Sequence, residues 1–360
     1  MFFHSVAGIV IGLAAGLGQM EMASADGDRE PAWSIVVHGG AGVIERGDMD
    51  EATETAYREA LEAAVTRGGT LLREGRSAQE VVELVIRDFE DDPKFNSGRG
   101  AVFTAQGTNE LDASIMRGSD LAAGAVAGVR EVRHPISLAI AVMEDSPHVM
   151  LSGEGAEAFA LEQGLEVAPP SHFFTERRWQ SMERALRNQG LPVPARPEGV
   201  PAPELIEEGA LDLMEREHAF GTVGVVVKDR NGDTVAGTST GGTTAKRWGR
   251  IGDSPVIGAG TYAIGDCGVS ATGTGEYFIR LAVAARICMN ARDGVLDAAQ
   301  AGQLAADRVI QADLTALGGD GGIVMLYRGV PVWSFNTPGM YRASLVEGEE
   351  PRVAIYADEG

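Results

Sequence analysis

Apolar and polar positions along this chain fall into short buried-strand runs and helical stretches, gathered in separate blocks. Trp33-Ser34-Ile35-Val36-Val37 is an apolar run that enters His38-Gly39-Gly40-Ala41-Gly42, the pattern of a buried strand ending in a glycine turn. From Asp50 to Leu72, alanines, leucines and charges recur at helical spacing. A second helix starts at Ser77, with Glu80 completing a capping box, and runs to about Phe89. A polar, glycine-rich loop from Asp91 to Gly100 leads to Ala101–Thr104, predicted as a strand that turns at Gly107 and returns as Glu110–Met116. Ala122–Val129 is small and apolar, and helices are predicted over Pro135–Met143, Gly153–Gly164 and Arg177–Arg187. Five prolines between Pro192 and Pro203 exclude a core element and predict a linker or mobile tail, with a short helix over Glu204–His218 beyond it.

At Gly221-Thr222 the character changes. Thr222–Lys228 and Asp233–Thr240 read as two strands joined through Asn231-Gly232, a strong hairpin signal. Gly241-Gly242 turns the chain into the compact loop Trp248–Pro255. The run Ser270–Glu276 enters a helix over Tyr277–Met289, followed by a helix over Ala298–Leu314, a turn at Gly318–Gly322, and a hairpin of Ile323–Tyr327 with Pro331–Phe335. Hairpins and helices in separate blocks predict a layered α+β fold with a partly antiparallel sheet pair at its centre.

Composition narrows the function classes. The 360 residues, 44% hydrophobic, can bury a sizeable core in one large domain or two small ones. A net charge of −22 argues against nucleic acid as a partner, and only three lysines occur, so nearly all positive charge is arginine. Val6–Leu17 is an apolar run too brief to span a bilayer, and Ala23-Ser24-Ala25 is a small-x-small cleavage signal. Residues 1–25 are therefore expected to be a secretory signal peptide, with a buried N-terminal helix as the alternative. Export implies an oxidising compartment. One disulfide between Cys267 and Cys288 is possible, but Cys288 falls on a predicted helix and reads better as core. His134, His148 and His172 have no ligand spacing between them, which gives no histidine metal site.

The candidate chemistry centres on Thr222. A mid-chain threonine hydroxyl has no base beside it. A cut before Thr222 would free an α-amine, with a pKa of roughly 7.7–8.0, on the same residue as the hydroxyl. Gly221 suits such a cut, although a Gly-Thr at a strand start is structural in most proteins. The hairpin brings Thr238, Ser239 and Thr240 close to that strand. Asn96 is either a ligand donor or a turn former. Arg250 and Asp253, three residues apart, either clamp the zwitterion of an α-amino acid or pair with each other. Glycine-rich backbone from Thr272 to Gly275 at a helix start can hold a carboxylate or an oxyanion; no lysine follows it as a phosphate loop requires.

Taken in order, HGGAG from His38, FNSGRGAVFT from Phe95, ELDASIM from Glu110, SPHVMLSGEGAE from Ser146, GTVG from Gly221, TSTGG from Thr238, GRIGDSP from Gly249, TGTGE from Thr272, LGGDGG from Leu317 and FNTPGMYRA from Phe335 span nearly the whole chain. The set resembles the isoaspartyl peptidase/plant-type L-asparaginase family of N-terminal nucleophile hydrolases. The resemblance implies a four-layer αββα sandwich, made as a precursor that cuts itself between Gly221 and Thr222. Residues 26–221 would form an α-chain with a Pro-rich tail at about 190–218, and residues 222–360 a β-chain in the same domain. It further implies that Thr222 attacks the side-chain amide of L-asparagine or the β-linked bond of an isoaspartyl dipeptide through a β-aspartyl enzyme. By the family pattern Thr240 bonds near the nucleophile and Asn96 positions it. Thr272 with the Gly273 N–H forms the oxyanion hole, Arg250 helped by Gly275 and Gly273 binds substrate carboxylate, and Asp253 binds the α-ammonium.

The backbone of Phe89, Glu90, Asp92, Phe95 and Ser97 resembles a loop that wraps a structural sodium ion, and no cofactor is implied for catalysis. A small-molecule substrate, no nucleic acid or membrane partner, and a homodimer of αβ units complete the expectation. The signal peptide implies a periplasmic or secreted enzyme, which is not typical of the cytoplasmic members. Relatives usually carry Asn just before the lysine at Lys246, where this chain has Ala245. The competing readings are a glycosylasparaginase-type amidase and an exported, non-catalytic amino-acid-binding protein.

Overall fold

The computed structural model describes residues 30–42, 44–47, 49–203, 221–292 and 296–359. The expected signal peptide and the expected helix over Glu204–His218 lie outside the described residues. The strands are β1 (Ser34–Gly42), β2 (Leu111–Arg117), β3 (Ala123–Val129), β4 (Met150–Ser152), β5 (Val223–Lys228), β6 (Thr234–Thr240), β7 (Thr261–Ile264), β8 (Cys267–Gly273), β9 (Gly321–Tyr327), β10 (Val330–Phe335), β11 (Gly339–Val346) and β12 (Arg352–Tyr356). The α-helices are α1 (Glu51–Arg73), α2 (Ala78–Asp91), α3 (Pro135–Asp145), α4 (Gly153–Glu162), α5 (Pro170–Phe173), α6 (Glu176–Asn188), α7 (Gly275–Leu281), α8 (Val283–Ala291) and α9 (Ala298–Asp307). Eight strands form one sheet in the order β12-β11-β1-β5-β6-β2-β3-β4, and four form a second in the order β10-β9-β8-β7. The architecture is α+β.

The central strands of the large sheet face two cores. Ile35, Val37, Val225 and Val227 point one way and pack with Leu61 and Ile86 of α1 and α2. Val36, Val226 and Ala236 point the other way, onto Ala263, Val324 and Leu326 of the small sheet. Beyond the small sheet, Val269 and Met325 pack with Ile287, Ala306 and Ile310 from the helical block. Burial on both faces is why β1 and β5 read as continuous apolar runs instead of alternating. The caps read from sequence are formed: the Asp50 side chain accepts from Thr53 N, and Ser77 and Glu80 make a reciprocal box.

Four expectations need correction. Ala101–Thr104 is not a strand; only Phe103 and Asn109 form an isolated bridge, and β2 pairs with β6 and β3. Side chains claim that backbone first, since Asn109 Nδ2 donates to the Ala101 and Val102 carbonyls and Asn96 Oδ1 accepts from Val102 N. The helix expected over Tyr277–Met289 is broken where Ala282 adopts φ 49°, so α7 and α8 are separate. The helix expected over Ala298–Leu314 loosens into a π-helical turn at Arg308–Leu314. Cys267 of β8 and Cys288 of α8 are joined in a disulfide, not packed as free thiols, because the strand and the helix that covers it bring the two Cα atoms to 5.8 Å. In the Pro-rich stretch, Leu191, Val193 and Val200 pack on the cluster of Phe103, Trp179 and Leu186, and Arg196 pairs with Glu176.

Candidate active site

Thr222 precedes the first residue of β5 and is buried. The hairpin register that sets Val223 opposite Ser239 carries Thr222 to the level of Thr240, and the Thr222 hydroxyl donates to Thr240 Oγ1 at 3.0 Å. Thr240 Oγ1 in turn accepts the Gly242 N–H at 3.0 Å. The nucleophile candidate is thus held by a hydroxyl that is itself oriented by backbone.

Asn96 acts as a wedge between two segments. Its backbone N–H donates to the Gly221 carbonyl at 3.1 Å and its own carbonyl accepts from Gly241 N at 3.0 Å. Its side-chain Nδ2 donates to the Gly242 carbonyl at 2.8 Å. The fit requires both glycines: a Cβ on Gly221 would lie 2.7 Å from Asn96 Cβ, and one on Gly241 would lie 2.6 Å from Asn96 Oδ1. A donor on the carbonyl oxygen next to a nucleophile is the geometry that stabilises a developing oxyanion.

Thr272 lies on the same face of β8 as Ser270, one pleat nearer the turn into α7. It is buried, opposite Gly322 of β9. Gly273 is pressed against Phe278 and the Asp320 carbonyl, and Gly275 fills the gap between Arg250 and the Gly252–Asp253 backbone, 2.9 Å from each at the position of a Cβ. Arg250 and Asp253 do not pair with each other. Arg250 forks onto Glu276, Nε to Oε1 at 3.0 Å and Nη2 to Oε2 at 2.9 Å. Asp253 is 4% exposed, and its Oδ2 has no hydrogen-bond partner among the described residues. Burial pushes its carboxyl up to about 7, opposed by its own backbone N–H and by Arg250. A buried carboxylate oxygen without a donor, beside a cation already engaged elsewhere, has the chemistry to accept an ammonium group.

Two residues near this site escaped the sequence reading. His38 is fully buried, with Nε2 3.0 Å from Ser270 Oγ, and burial pulls its pKa down to about 3 against the opposing contact with the Thr222 main chain. Asp112, opposite Thr240 on β2, has its carboxyl raised by burial and relieved by Lys246. The HGGAG motif was the available signal for His38, yet a histidine inside an apolar run reads first as a turn flank. Ala245, where the resemblance implies Asn, adopts φ 57° inside the Phe103–Trp179 cluster. Asn enters the left-handed region more readily than other non-glycine residues, so Ala there carries backbone strain.

A family model described as Asparaginase matches residues 31–355. Among curated proteins, the chain is 44% identical to an isoaspartyl peptidase of Escherichia coli (strain K12), over 91% of this chain and 97% of that protein. It is 41% identical to a plant-type L-asparaginase of Pyrococcus abyssi, over 89% of this chain and 99% of the other. It is 40% identical to a probable isoaspartyl peptidase/L-asparaginase 2 of Arabidopsis thaliana, over 90% and 99% of the two chains.

Proposed function

This chain belongs to the asparaginase family, and from that premise we propose that it is a threonine amidohydrolase, activated by its own cleavage between Gly221 and Thr222, that hydrolyses isoaspartyl dipeptides and the side-chain amide of L-asparagine. The observation that carries the reading is the pairing at one point of a hydroxyl and a carbonyl. Thr222 Oγ1 is aligned by Thr240, and the adjoining Gly221 carbonyl receives the Asn96 N–H. In self-cleavage Thr222 Oγ adds to the Gly221 carbonyl carbon as its proton passes to the Thr222 nitrogen. The C–N bond breaks, freeing the Thr222 α-amine and leaving Gly221 esterified to Oγ, and water hydrolyses that ester to a Gly221 carboxylate and the free Thr222 hydroxyl.

On substrate the same hydroxyl attacks the β-carbonyl carbon. Its proton passes to the α-amine and on to the leaving ammonia or amine, and the β-aspartyl ester is hydrolysed by water. Thr272 and the Gly273 N–H stabilise the tetrahedral oxyanion from the opposite sheet. Arg250, released from Glu276, takes the α-carboxylate, and Asp253 takes the α-ammonium. The two sheets with a helical block outside each support a four-layer αββα sandwich as the finer description.

The loop at Phe89–Ser97 suits a monovalent cation. The Phe89, Asp92 and Ser97 carbonyls each accept one backbone N–H and keep a second lone pair, and glycine at 98 and 100 lets the Glu90 and Phe95 carbonyls approach where a Cβ would sit within 2.3 and 1.9 Å of them. Neutral oxygens of this kind hold a hard ion without charge. We read it as a structural sodium site, outside the reaction; a melting temperature unchanged when sodium is replaced by choline would count against it. Export of the mature chain and a dimer of αβ units complete the proposal, to be checked by fractionation and by light scattering.

Intact-mass spectrometry of the wild type beside Thr222→Ala, with turnover assays on β-aspartyl dipeptides, L-asparagine and β-aspartyl-N-acetylglucosamine, tests the function. Two chains in the wild type only, the second starting at Thr222, with turnover of the first two substrates, is the expected result. A wild type that stays uncut and binds aspartate without turnover would overturn it in favour of a binding protein. Turnover confined to the glycosylated substrate would move it to a glycosylasparaginase-type amidase.

A further inference from the structure

The catalytic threonines sit on one level of the two facing sheets, and the level beneath them is polar as well. In the large sheet His38 lies opposite Gly224, Gly224 opposite Thr238, and Thr238 opposite Ser114. In the small sheet Thr261 lies opposite Ser270. The five side chains join across the gap between the sheets. His38 Nε2 is 3.0 Å from Ser270 Oγ, which is 2.6 Å from Thr238 Oγ1. Thr261 Oγ1 donates to Thr238 Oγ1 at 2.5 Å, and Ser114 Oγ reaches Thr261 Oγ1 at 2.7 Å and donates to the Ser254 carbonyl at 2.5 Å. All five are fully buried.

Gly224 makes the layer possible. A Cβ there would fall 1.9 Å from Ser270 Oγ and 2.2 Å from His38 Nε2. The flanking inter-sheet positions, Val226, Ala236 and Val324, are apolar, and apolar contact is non-directional. Buried hydroxyls are directional and expensive to leave unbonded, so a continuous row of them favours one registration. Registration matters here because the machinery is divided: Thr222 and Thr240 stand on the large sheet, Thr272 and Gly273 on the small one, and Asp253 adjoins the Ser254 carbonyl at the end of the row.

We propose that His38, Ser270, Thr238, Thr261 and Ser114 form a positioning layer that fixes the two sheets relative to each other and so sets the placement of Thr222 against the Thr272–Gly273 oxyanion site. None of the five is among the residues assigned above to substrate. The inference rests on the threonine amidohydrolase reading. It predicts that breaking the row displaces groups that must agree to within an ångström, an error that costs on the order of 100-fold in rate.

The test is Thr238→Val, which keeps the shape and removes the hydroxyl, beside Thr238→Ser, which restores it. On an isoaspartyl dipeptide, self-cleaved Thr238→Val should lose at least roughly tenfold in kcat with KM changed less than about threefold, and Thr238→Ser should return to within about threefold of wild type. A merely structural role would lower the melting temperature and leave kcat per folded site unchanged. Thr238→Val with kcat within about twofold of wild type overturns the proposal. If that variant does not fold, Ser270→Ala is held to the same criterion, and failure of both to fold also overturns it in favour of a purely structural layer. A wild type without turnover sinks the amidohydrolase reading instead, which keeps the two failures apart.

Discussion

Asp253 supplies the sharpest prediction. Its carboxyl is pushed up to about 7 by burial, so it is neutral below that pH and ionised above it. Only the anion attracts an α-ammonium. For a ligand that binds the ionised form alone, the apparent dissociation constant is multiplied by one plus the ratio of protonated to ionised sites. That factor is roughly twofold at pH 7 and elevenfold at pH 6, each further unit adding about 1.4 kcal/mol. The assay is competitive inhibition by L-aspartate from pH 8 to pH 5.5 at fixed ionic strength, with succinate as control. Succinate keeps a carboxylate for Arg250, which stays charged throughout, and has no ammonium. Aspartate should weaken more than tenfold as pH falls across the range while succinate changes little, and Asp253→Asn should bind aspartate weakly with a flat profile.

The stability sign runs the other way from function. A carboxyl whose folded pKa is raised holds its proton more tightly when folded, so it favours the native state below its unfolded value of 3.8 and increasingly opposes it as pH rises to about 7. Asp253→Asn should therefore raise the melting temperature at pH 8, by an amount corresponding to no more than roughly 4 kcal/mol, and leave it unchanged near pH 4. An aspartate inhibition constant that stays within about twofold between pH 8 and pH 5.5 would refute the reasoning.

Arg250→Lys keeps the charge and loses the fork now seated on Glu276; KM for isoaspartyl dipeptide should rise at least roughly tenfold with a smaller change in kcat, and a kcat effect larger than the KM effect would contradict the binding role. The Cys267–Cys288 bond closes a separation of 21 residues, so the double alanine variant should lose about 3 kcal/mol in urea titration, and an equal midpoint with and without reductant would exclude the bond from the native protein. Ala245→Gly removes a side chain from the left-handed region at φ 57°, and should stabilise by up to about 1 kcal/mol unless loss of its buried methyl contacts cancels the gain, read from the same titration.

Much of the fold is local and was legible. The apolar runs of β1 and β5, the Asn231-Gly232 hairpin and the Ser77–Glu80 cap each carry their own signal, because spacing and turn chemistry act over a few residues. The candidate site residues were chosen as types, and the structure places Thr222, Thr240, Asn96 and Gly221 in one hydrogen-bonded group and sets Gly275 against Arg250 and the Asp253 backbone without pairing Arg250 to Asp253. What spacing could not supply was partnership across long separations. Nothing near Arg250 announces Glu276 over Asp253, and nothing near Cys267 announces α8 as its cover. The run Ala101–Thr104 misled because two asparagines, at positions 96 and 109, satisfy its backbone from outside any ladder. His38 stayed hidden because its partner Ser270 lies 232 residues away.

The Asn96 wedge has a second face. Before any cut, its N–H holds a neutral carbonyl of Gly221; afterwards the same N–H would face a freshly made carboxylate, one residue from a freshly made ammonium on Thr222. The carboxylate ends the first chain at Gly221 and the ammonium begins the second at Thr222, so cleavage would leave an anion beside the nucleophile where the precursor has none. That new carboxylate end would be the first anion to leave the neighbourhood of the Asn96 N–H. Activity in freshly cut protein should accordingly lag behind cleavage by the time that end takes to withdraw.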